Sequence, residues 1–184
     1  ALRPDLGGAV AGLWRDGLPV LRSTEPADLQ RARDAGCYPL VPYSGRLGYR
    51  RFRWHGRDHT TAPNFDDSPH SLHGLAWLRP WTVAEQTATR AVLALDHAAD
   101  AVAPFAGARG LRLSPQAGVD GDVAHLAFDH CCEGWQGPAR IRDERLSLRL
   151  TSSLPRLVVY TPETRPYYCV EPVGHVPNAI HMSD

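Results

Sequence analysis

Residues 157–172 read LVVYTPETRPYYCVEP, so that two short apolar runs flank a turn bounded by prolines. Runs of this length, rich in valine and tyrosine and stopped by proline, predict two β-strands, at 157–161 and 167–171. The 16 glycines and 16 prolines among the 184 residues interrupt the rest of the chain in a similar way. Such frequent interruption favours many short strands over helices. We therefore expect an all-β chain.

Three other segments support this prediction. Asp16-Gly17 is a typical two-residue hairpin turn between apolar runs at 9–13 and 18–21. Residues 51–54 alternate arginine with Phe or Trp before His55-Gly56, and residues 146–150 alternate leucine with polar residues. One short helix is expected over 28–35, capped at Thr24. No helix alternates with the strands, which predicts a single antiparallel, sandwich-like domain over residues 1–184.

Composition excludes several classes of function. Twenty basic residues balance twenty acidic residues, so there is no positive excess for binding nucleic acid. All the basic residues are arginines, which excludes Schiff-base chemistry on a lysine. No apolar run is long enough for a signal peptide or a membrane span, so we expect a cytoplasmic protein that does not bind membranes. Four cysteines without a C-x-x-C pair are expected to be free thiols.

Two segments of the N-terminal half place a polar residue among apolar ones. Arg46 ends the proline-stiffened stretch 36–46, where its guanidinium would present a rigid set of donors to a pocket, although a surface arginine at a strand end is the alternative. His73 lies between Leu72 and Gly74, which predicts a tight turn with a close backbone approach. Its alternatives are an ordinary turn histidine or a metal ligand, given the spacings His55-x3-His59 and His70-x2-His73. We expect no metal, because no cysteine pair completes such a site.

Two further segments lie in the C-terminal half. Asp129 follows Phe128 and precedes an aromatic turn, where it would bind hydroxyl groups beside a wall formed by Trp135, or simply cap the turn. Glu171 ends an aromatic strand, where partial desolvation would raise its pKa and make it a general base. The alternative is a structural ion pair between Glu171 and an arginine such as Arg46.

Taken in order, these segments resemble the aldose 1-epimerase (galactose mutarotase) family over about four fifths of the chain. The matching positions are Gly7-Gly8, GCYPLVPY (36–43), Arg46, Asn64, Leu72-His73-Gly74, Trp81, Asp129-His130, GWQG (134–137), Tyr160-Thr-Pro and CVEPVGH (169–175). The resemblance implies an antiparallel β-sandwich of the galactose mutarotase type, here shortened. It also implies interconversion of the α and β anomers of aldoses such as galactose or glucose, without a cofactor.

The resemblance assigns roles to individual residues. Glu171 matches the general base, and Arg46, His73 and Asp129 match residues that hold the ring oxygen and hydroxyls of the sugar. His73 is also a candidate catalytic residue, and Asn64 and Trp135 are expected to contribute to substrate binding. Arg46, His73, Asp129 and Glu171 are therefore expected to converge on one site.

The departures from the family pattern leave alternatives open. Between Pro104-Phe105 and Asp129 the family carries several further strands and a Gly-x-His-Pro-Tyr-Phe motif with its general-acid histidine, and this chain lacks that motif. Gly45 also stands where the family usually has asparagine. The acid would then be His73, His125, His130 or the substrate itself. Two alternatives to the exchange of aldose anomers also stay open. The scaffold would act on another cyclic hemiacetal or natural-product intermediate, or it would bind sugars without turnover. Because missing strands would leave sheet edges open, we also expect a homodimer.

Overall fold

The computed structural model describes residues 1–66, 68–97 and 126–182. This part of the chain contains short strands, turns and 3₁₀ helices, and no α-helix. The named strands pair in an antiparallel manner, which confirms the all-β prediction. The strands are β1 (Leu2–Arg3), β2 (Ala9–Val10), β3 (Trp14–Arg15), β4 (Leu18–Pro19), β5 (Arg46–Leu47), β6 (Arg51–Trp54), β7 (Arg57–Thr60), β8 (Ser71–Leu72), β9 (Thr82–Gln86), β10 (Ala91–Ala94), β11 (Asp129–Glu133), β12 (Ala139–Arg142), β13 (Ser147–Leu150), β14 (Arg156–Tyr160) and β15 (Cys169–Val173).

Two hairpins form at the turns expected from the sequence. Asp16 and Gly17 connect β3 to β4 with φ angles of 52° and 79°. His55 and Gly56 connect β6 to β7 with φ angles of 47° and 76°. Two consecutive residues with positive φ are the signature of the turn whose twist matches paired strands. The leucine alternation also forms a strand, because β13 pairs with β12 and half-buries Leu148 and Leu150.

The prediction of a helix over 28–35 is wrong. Asp28 and Leu29 donate backbone hydrogen bonds to the Glu25 carbonyl, which closes one turn. Arg31 is then extended (φ −141°, ψ 141°), and only a 3₁₀ helix follows, at Ala32–Asp34. The apolar spacing was misread because Leu29 and Ala32 are buried in a core cluster although no continuous helix joins them.

The chain divides into two compact units, Ala1–Gly107 and Ala108–Asp184. The first unit contains the apolar cluster with Ala9, Leu29 and Trp77 at its centre. The second contains the three-stranded sheet β11–β14–β15, with a smaller apolar cluster on it. That all 184 residues form a single domain stays a prediction.

Two further observations concern the described residues. No helix among them is long and apolar enough to cross a membrane. All four cysteines are described and are free thiols, as expected, with Cys131 buried and Cys37 exposed.

Candidate functional site

In the first unit, Arg46 and His73 are brought together by the pairing of β5 with β8. Arg46 lies opposite Leu72 in this ladder, so His73 follows directly beyond the paired position. The backbone N–H of His73 donates to the Gly45 carbonyl at 2.9 Å, which extends the pairing by one residue. The Arg46 charge is close enough to depress the pKa of His73.

His73 sits in the tight turn that its sequence context predicts. Its φ of 61° and the φ of 67° at Gly74 are both left-handed. A Cβ at Gly74 would lie 2.1 Å from the Val41 carbonyl oxygen, so only glycine fits there. The same carbonyl accepts backbone hydrogen bonds from Leu75 and Ala76, which explains the close approach. The prediction of a turn with a close backbone contact is confirmed.

The His73 ring is held in its neutral form. Its Nδ1 accepts a hydrogen bond from the Gly45 backbone N–H at 3.1 Å, and an accepting nitrogen carries no proton. Burial, and secondarily the Arg46 charge, lower the pKa of His73 to about 4. The proton of the neutral ring must therefore be on Nε2. His73 can donate a hydrogen bond from Nε2 at neutral pH, but it is not an imidazolium there.

Asn64 holds the His73 turn from behind. Its Nδ2 donates to the carbonyls of Leu72 at 2.8 Å and Gly74 at 2.7 Å, while its Oδ1 accepts from the Leu72 N–H at 2.9 Å. Both amide donors are thus used on the backbone that flanks His73. The structure gives Asn64 a positioning role, and the direct contact with substrate expected from the sequence stays a prediction.

In the second unit, the strand register gathers four polar side chains on one face. Asp129 pairs with Tyr160, and Tyr160 pairs with Cys169 on its other side. Paired residues point to the same face, as do residues two apart on a strand, so Glu171 shares that face with Cys169. We call this face, which bears Asp129, Tyr160, Cys169 and Glu171, the polar face.

Glu171 is partly buried and has an altered acidity. Burial is the main cause that raises its pKa, and the negative charge of Asp129 adds to the effect. A hydrogen bond from the Cys169 thiol opposes the shift by stabilising the carboxylate. Desolvation of the charged form makes a carboxylate more basic. Partial desolvation and a raised pKa are what the sequence predicted for Glu171.

The rest of the same sheet face is structural. Cys131 and Val173 are buried there and Val158 packs against them, which anchors β15 on the sheet. At the far end, Arg156 donates to Glu133 at 3.1 Å. Asp129, Tyr160 and Cys169 therefore form one end row of the sheet, and Glu171 lies in the middle row, level with Val158 and Cys131.

Two of the remaining candidates lie in or next to β11. Trp135 follows the end of β11 opposite to Asp129, and the wall that it is expected to form beside Asp129 stays a prediction. His130 is exposed and alternates with Asp129, so it lies on the opposite face of the sheet. His125 is outside the described residues.

The six predicted site residues thus fall into two groups, with Arg46, Asn64 and His73 in the first unit and Asp129, Trp135 and Glu171 in the second. The convergence of Arg46, His73, Asp129 and Glu171 on one site stays a prediction. Sequence reasoning missed Tyr160 and Cys169 as members of the polar face. The only signal for Tyr160 was its place in the matching Tyr-Thr-Pro motif, because nothing local in the sequence reveals the register of β14 with its neighbours.

Metal binding is the alternative use of the histidines. His70 Nδ1 accepts from the Tyr49 N–H at 2.8 Å, as His73 Nδ1 does from Gly45. His59 stacks on Phe52 within its own hairpin. Within residues 1–66, 68–97 and 126–182, no three His, Cys, Asp or Glu side chains are grouped so that they could hold a metal ion.

Three comparisons relate this chain to known proteins. Residues 1–114 match the model of the aldose 1-epimerase family. Over 93 residues the chain is 38% identical to the uncharacterized protein YphB of Escherichia coli K12, a match that spans 50% of this chain and 31% of that relative. The crystal structure of a candidate aldose 1-epimerase from Escherichia coli K12 superposes with a TM-score of 0.73 at 24% identity, covering 97% of this chain and 86% of that one.

The chain belongs to the aldose 1-epimerase family. The structural likeness confirms the predicted fold, an antiparallel β-sandwich of the galactose mutarotase type. The match to the curated relative spans about a third of that protein's length.

The protonation state of His73 can be tested directly. Long-range ¹H–¹⁵N spectra recorded from pH 8 to pH 3.5 should show an Nε2–H tautomer with a midpoint of about 4. Since the folded pKa lies below the ordinary value of about 6.5, the stability contributed by neutral His73 is present above pH 6.5 and is lost as the pH falls towards 4. That contribution is about 3 kcal/mol at most.

The ¹H–¹⁵N signal of the His73 ring is identified by its loss in His73→Gln. The variant His181→Gln, at an exposed position, is the matched control. Urea titrations at pH 7 and pH 4.5 should show that the stability difference between wild type and His73→Gln shrinks at the lower pH. A His73 midpoint near 6.5, or a proton on Nδ1, would contradict the geometry described.

The role of Asn64 predicts a specific defect. Asn64→Asp keeps the shape of the side chain but turns an oxygen towards the carbonyls of Leu72 and Gly74, so two donated bonds become repulsive contacts. A loss of roughly 1–3 kcal/mol in the free energy of unfolding is expected. The exposed Gln86→Glu makes the same chemical change in the same unit and should be nearly neutral. Equal stability of the two variants would show that the amide does not hold the turn.

Proposed function

We propose that this chain interconverts the α and β anomers of an aldose, such as galactose or glucose, by acid–base ring opening. The family and the fold support sugar epimerase chemistry. The single observation that carries the proposal is Glu171, a partly buried carboxylate on β15 whose pKa is raised by burial and by Asp129.

Glu171 takes the proton of the anomeric hydroxyl in this proposal. A general base works best when its pKa lies close to the operating pH, and an ordinary glutamate is too weak a base for a sugar hydroxyl. Burial moves Glu171 in the required direction. A hydrogen bond from the Cys169 thiol stabilises the ionised carboxylate, which is the form that acts as a base.

Each unit offers groups of the kind that hold a sugar. In the first unit, Arg46 and the Nε2–H of His73 are hydrogen-bond donors for ring and hydroxyl oxygens, and in the second unit the exposed Asp129 carboxylate accepts from hydroxyl groups. The planar guanidinium of Arg46 presents its donors in a fixed fork, so that less entropy is lost for each hydrogen bond formed. That both units act on the same sugar stays a prediction, and so does the choice of aldose.

The test is Glu171→Gln measured by polarimetry on freshly dissolved α-galactose and α-glucose. The wild type should accelerate the approach to anomeric equilibrium above the spontaneous rate. Removing the base should lower the protein-dependent rate by about 10²–10⁴-fold. The exposed Glu163→Gln in the loop before β15 is the matched control and should keep the wild-type rate.

Binding must be measured alongside the rate. Saturation-transfer NMR with the same sugars should show that Glu171→Gln still binds, because an amide fills the same space and accepts hydrogen bonds. A Glu171→Gln rate equal to that of wild type and Glu163→Gln would refute the assignment of the base. Sugar binding without any acceleration by wild type would point to the binding protein considered above.

We also propose that the chain forms a homodimer. Exposed apolar residues such as Val83 on the hairpin β9–β10 favour contact with a second copy. Light scattering at micromolar concentration should give about twice the 20.2 kDa of one chain. A single species at the monomer mass would refute the homodimer.

A further inference from the structure

Ring opening needs a proton donor at the ring oxygen as well as a base at the anomeric hydroxyl. The family's Gly-x-His-Pro-Tyr-Phe motif is absent from this sequence. His73 is a neutral ring at neutral pH, and His130 lies on the sheet face opposite to Glu171. The polar face beside Glu171 also carries groups with a transferable proton.

Tyr160 is placed centrally on the polar face. It ends β14, the middle strand of the sheet, with Asp129 paired on one side and Cys169 on the other. Glu171 is the diagonal neighbour of Tyr160 across β14 and β15. Diagonal neighbours lie about 7–8 Å apart at their Cα atoms, within reach of long side chains such as tyrosine and glutamate. A tyrosine hydroxyl and a carboxylate at this separation can contact two oxygens of one small molecule.

The surroundings of Tyr160 keep its proton in place. Burial raises the pKa of the phenol, and Tyr167, Asp129 and Cys169 raise it further, while only Arg165 opposes them. The hydroxyl is therefore protonated throughout the neutral range. A phenol that carries a proton, beside a carboxylate that can accept one, supplies both partners for proton transfer at two oxygens of the sugar.

We propose that Tyr160 is the proton donor to the ring oxygen when the sugar ring opens during anomer exchange, with Glu171 as its partner base. This inference rests on that proposed function. The assignment would explain how the chain manages without the family's acid motif. It concerns only residues of the second unit.

The protons balance over the cycle. Glu171 removes the proton of the anomeric hydroxyl, the carbonyl forms, and the bond between the anomeric carbon and the ring oxygen breaks as Tyr160 protonates that oxygen. The open-chain aldehyde then rotates about the bond next to its carbonyl. In the reverse step the tyrosinate recovers its proton from the hydroxyl that attacks, and protonated Glu171 returns its proton to the carbonyl oxygen.

Tyr160→Phe is the first test, measured by polarimetry with the sugar that wild type turns over fastest. The change removes one oxygen and keeps the ring, so folding should be preserved. The rate should fall about 10²–10⁴-fold while sugar binding persists. The exposed Tyr168→Phe, eight residues on, is the matched control and should stay at the wild-type rate.

A second measurement separates an acid from a structural tyrosine. Placing 3,5-difluorotyrosine at position 160 lowers the pKa of the phenol and changes its shape little. If Tyr160 donates the proton, the activity should fall on the alkaline side at a lower pH than in wild type. The same replacement at Tyr168 should leave the profile unmoved.

The outcomes distinguish the two proposals. Wild type without anomer exchange would refute the proposed function and this inference together. An active wild type with Tyr160→Phe as fast as Tyr168→Phe would refute only the role of Tyr160. A slow Tyr160→Phe combined with an alkaline limb unmoved by difluorotyrosine would assign Tyr160 a structural role and overturn the inference.

Discussion

The pairing of β14 with β11 and β15 is the constraint on which the rest of the candidate site depends. Side chains alternate between the faces of a sheet, so a slip of one residue in β14 would send Tyr160 to the opposite face from Asp129 and Glu171. The same slip would turn Val158 away from Cys131 and Val173, so the apolar contacts among these three residues favour the observed register. Apolar packing on this face thus fixes which polar side chains share it.

Burial shifts the pKa values of the two candidate catalytic residues, Glu171 and His73, in opposite directions. Loss of water disfavours the charged form, which raises the pKa of Glu171 and lowers that of His73. The carboxylate becomes a better base, while the histidine loses its acidic form and keeps a single donor on Nε2. Turn geometry reinforces this result, since Gly45 donates to Nδ1 and Asn64 holds the backbone on both sides of the ring.

Local signals in the sequence predicted the two hairpin turns. Features that depend on pairing between distant segments could not be predicted from the sequence. Asp16-Gly17 and His55-Gly56 carry their turn geometry in their own residue types. The supposed helix at 28–35 failed because buried apolar residues spaced like a helix can also come from an irregular turn. The positioning role of Asn64 and the place of Tyr160 depend on contacts between distant segments, which a single sequence does not reveal.

The proposed function is catalysed exchange between the anomers of an aldose. Two-dimensional exchange NMR of the anomeric protons measures this event directly, at equilibrium and without any coupled enzyme. With galactose or glucose at neutral pH, α–β cross peaks are expected to grow in proportion to the concentration of wild-type protein and to vanish with Glu171→Gln. Cross peaks no stronger than those in protein-free buffer, with both sugars, would rule out this function.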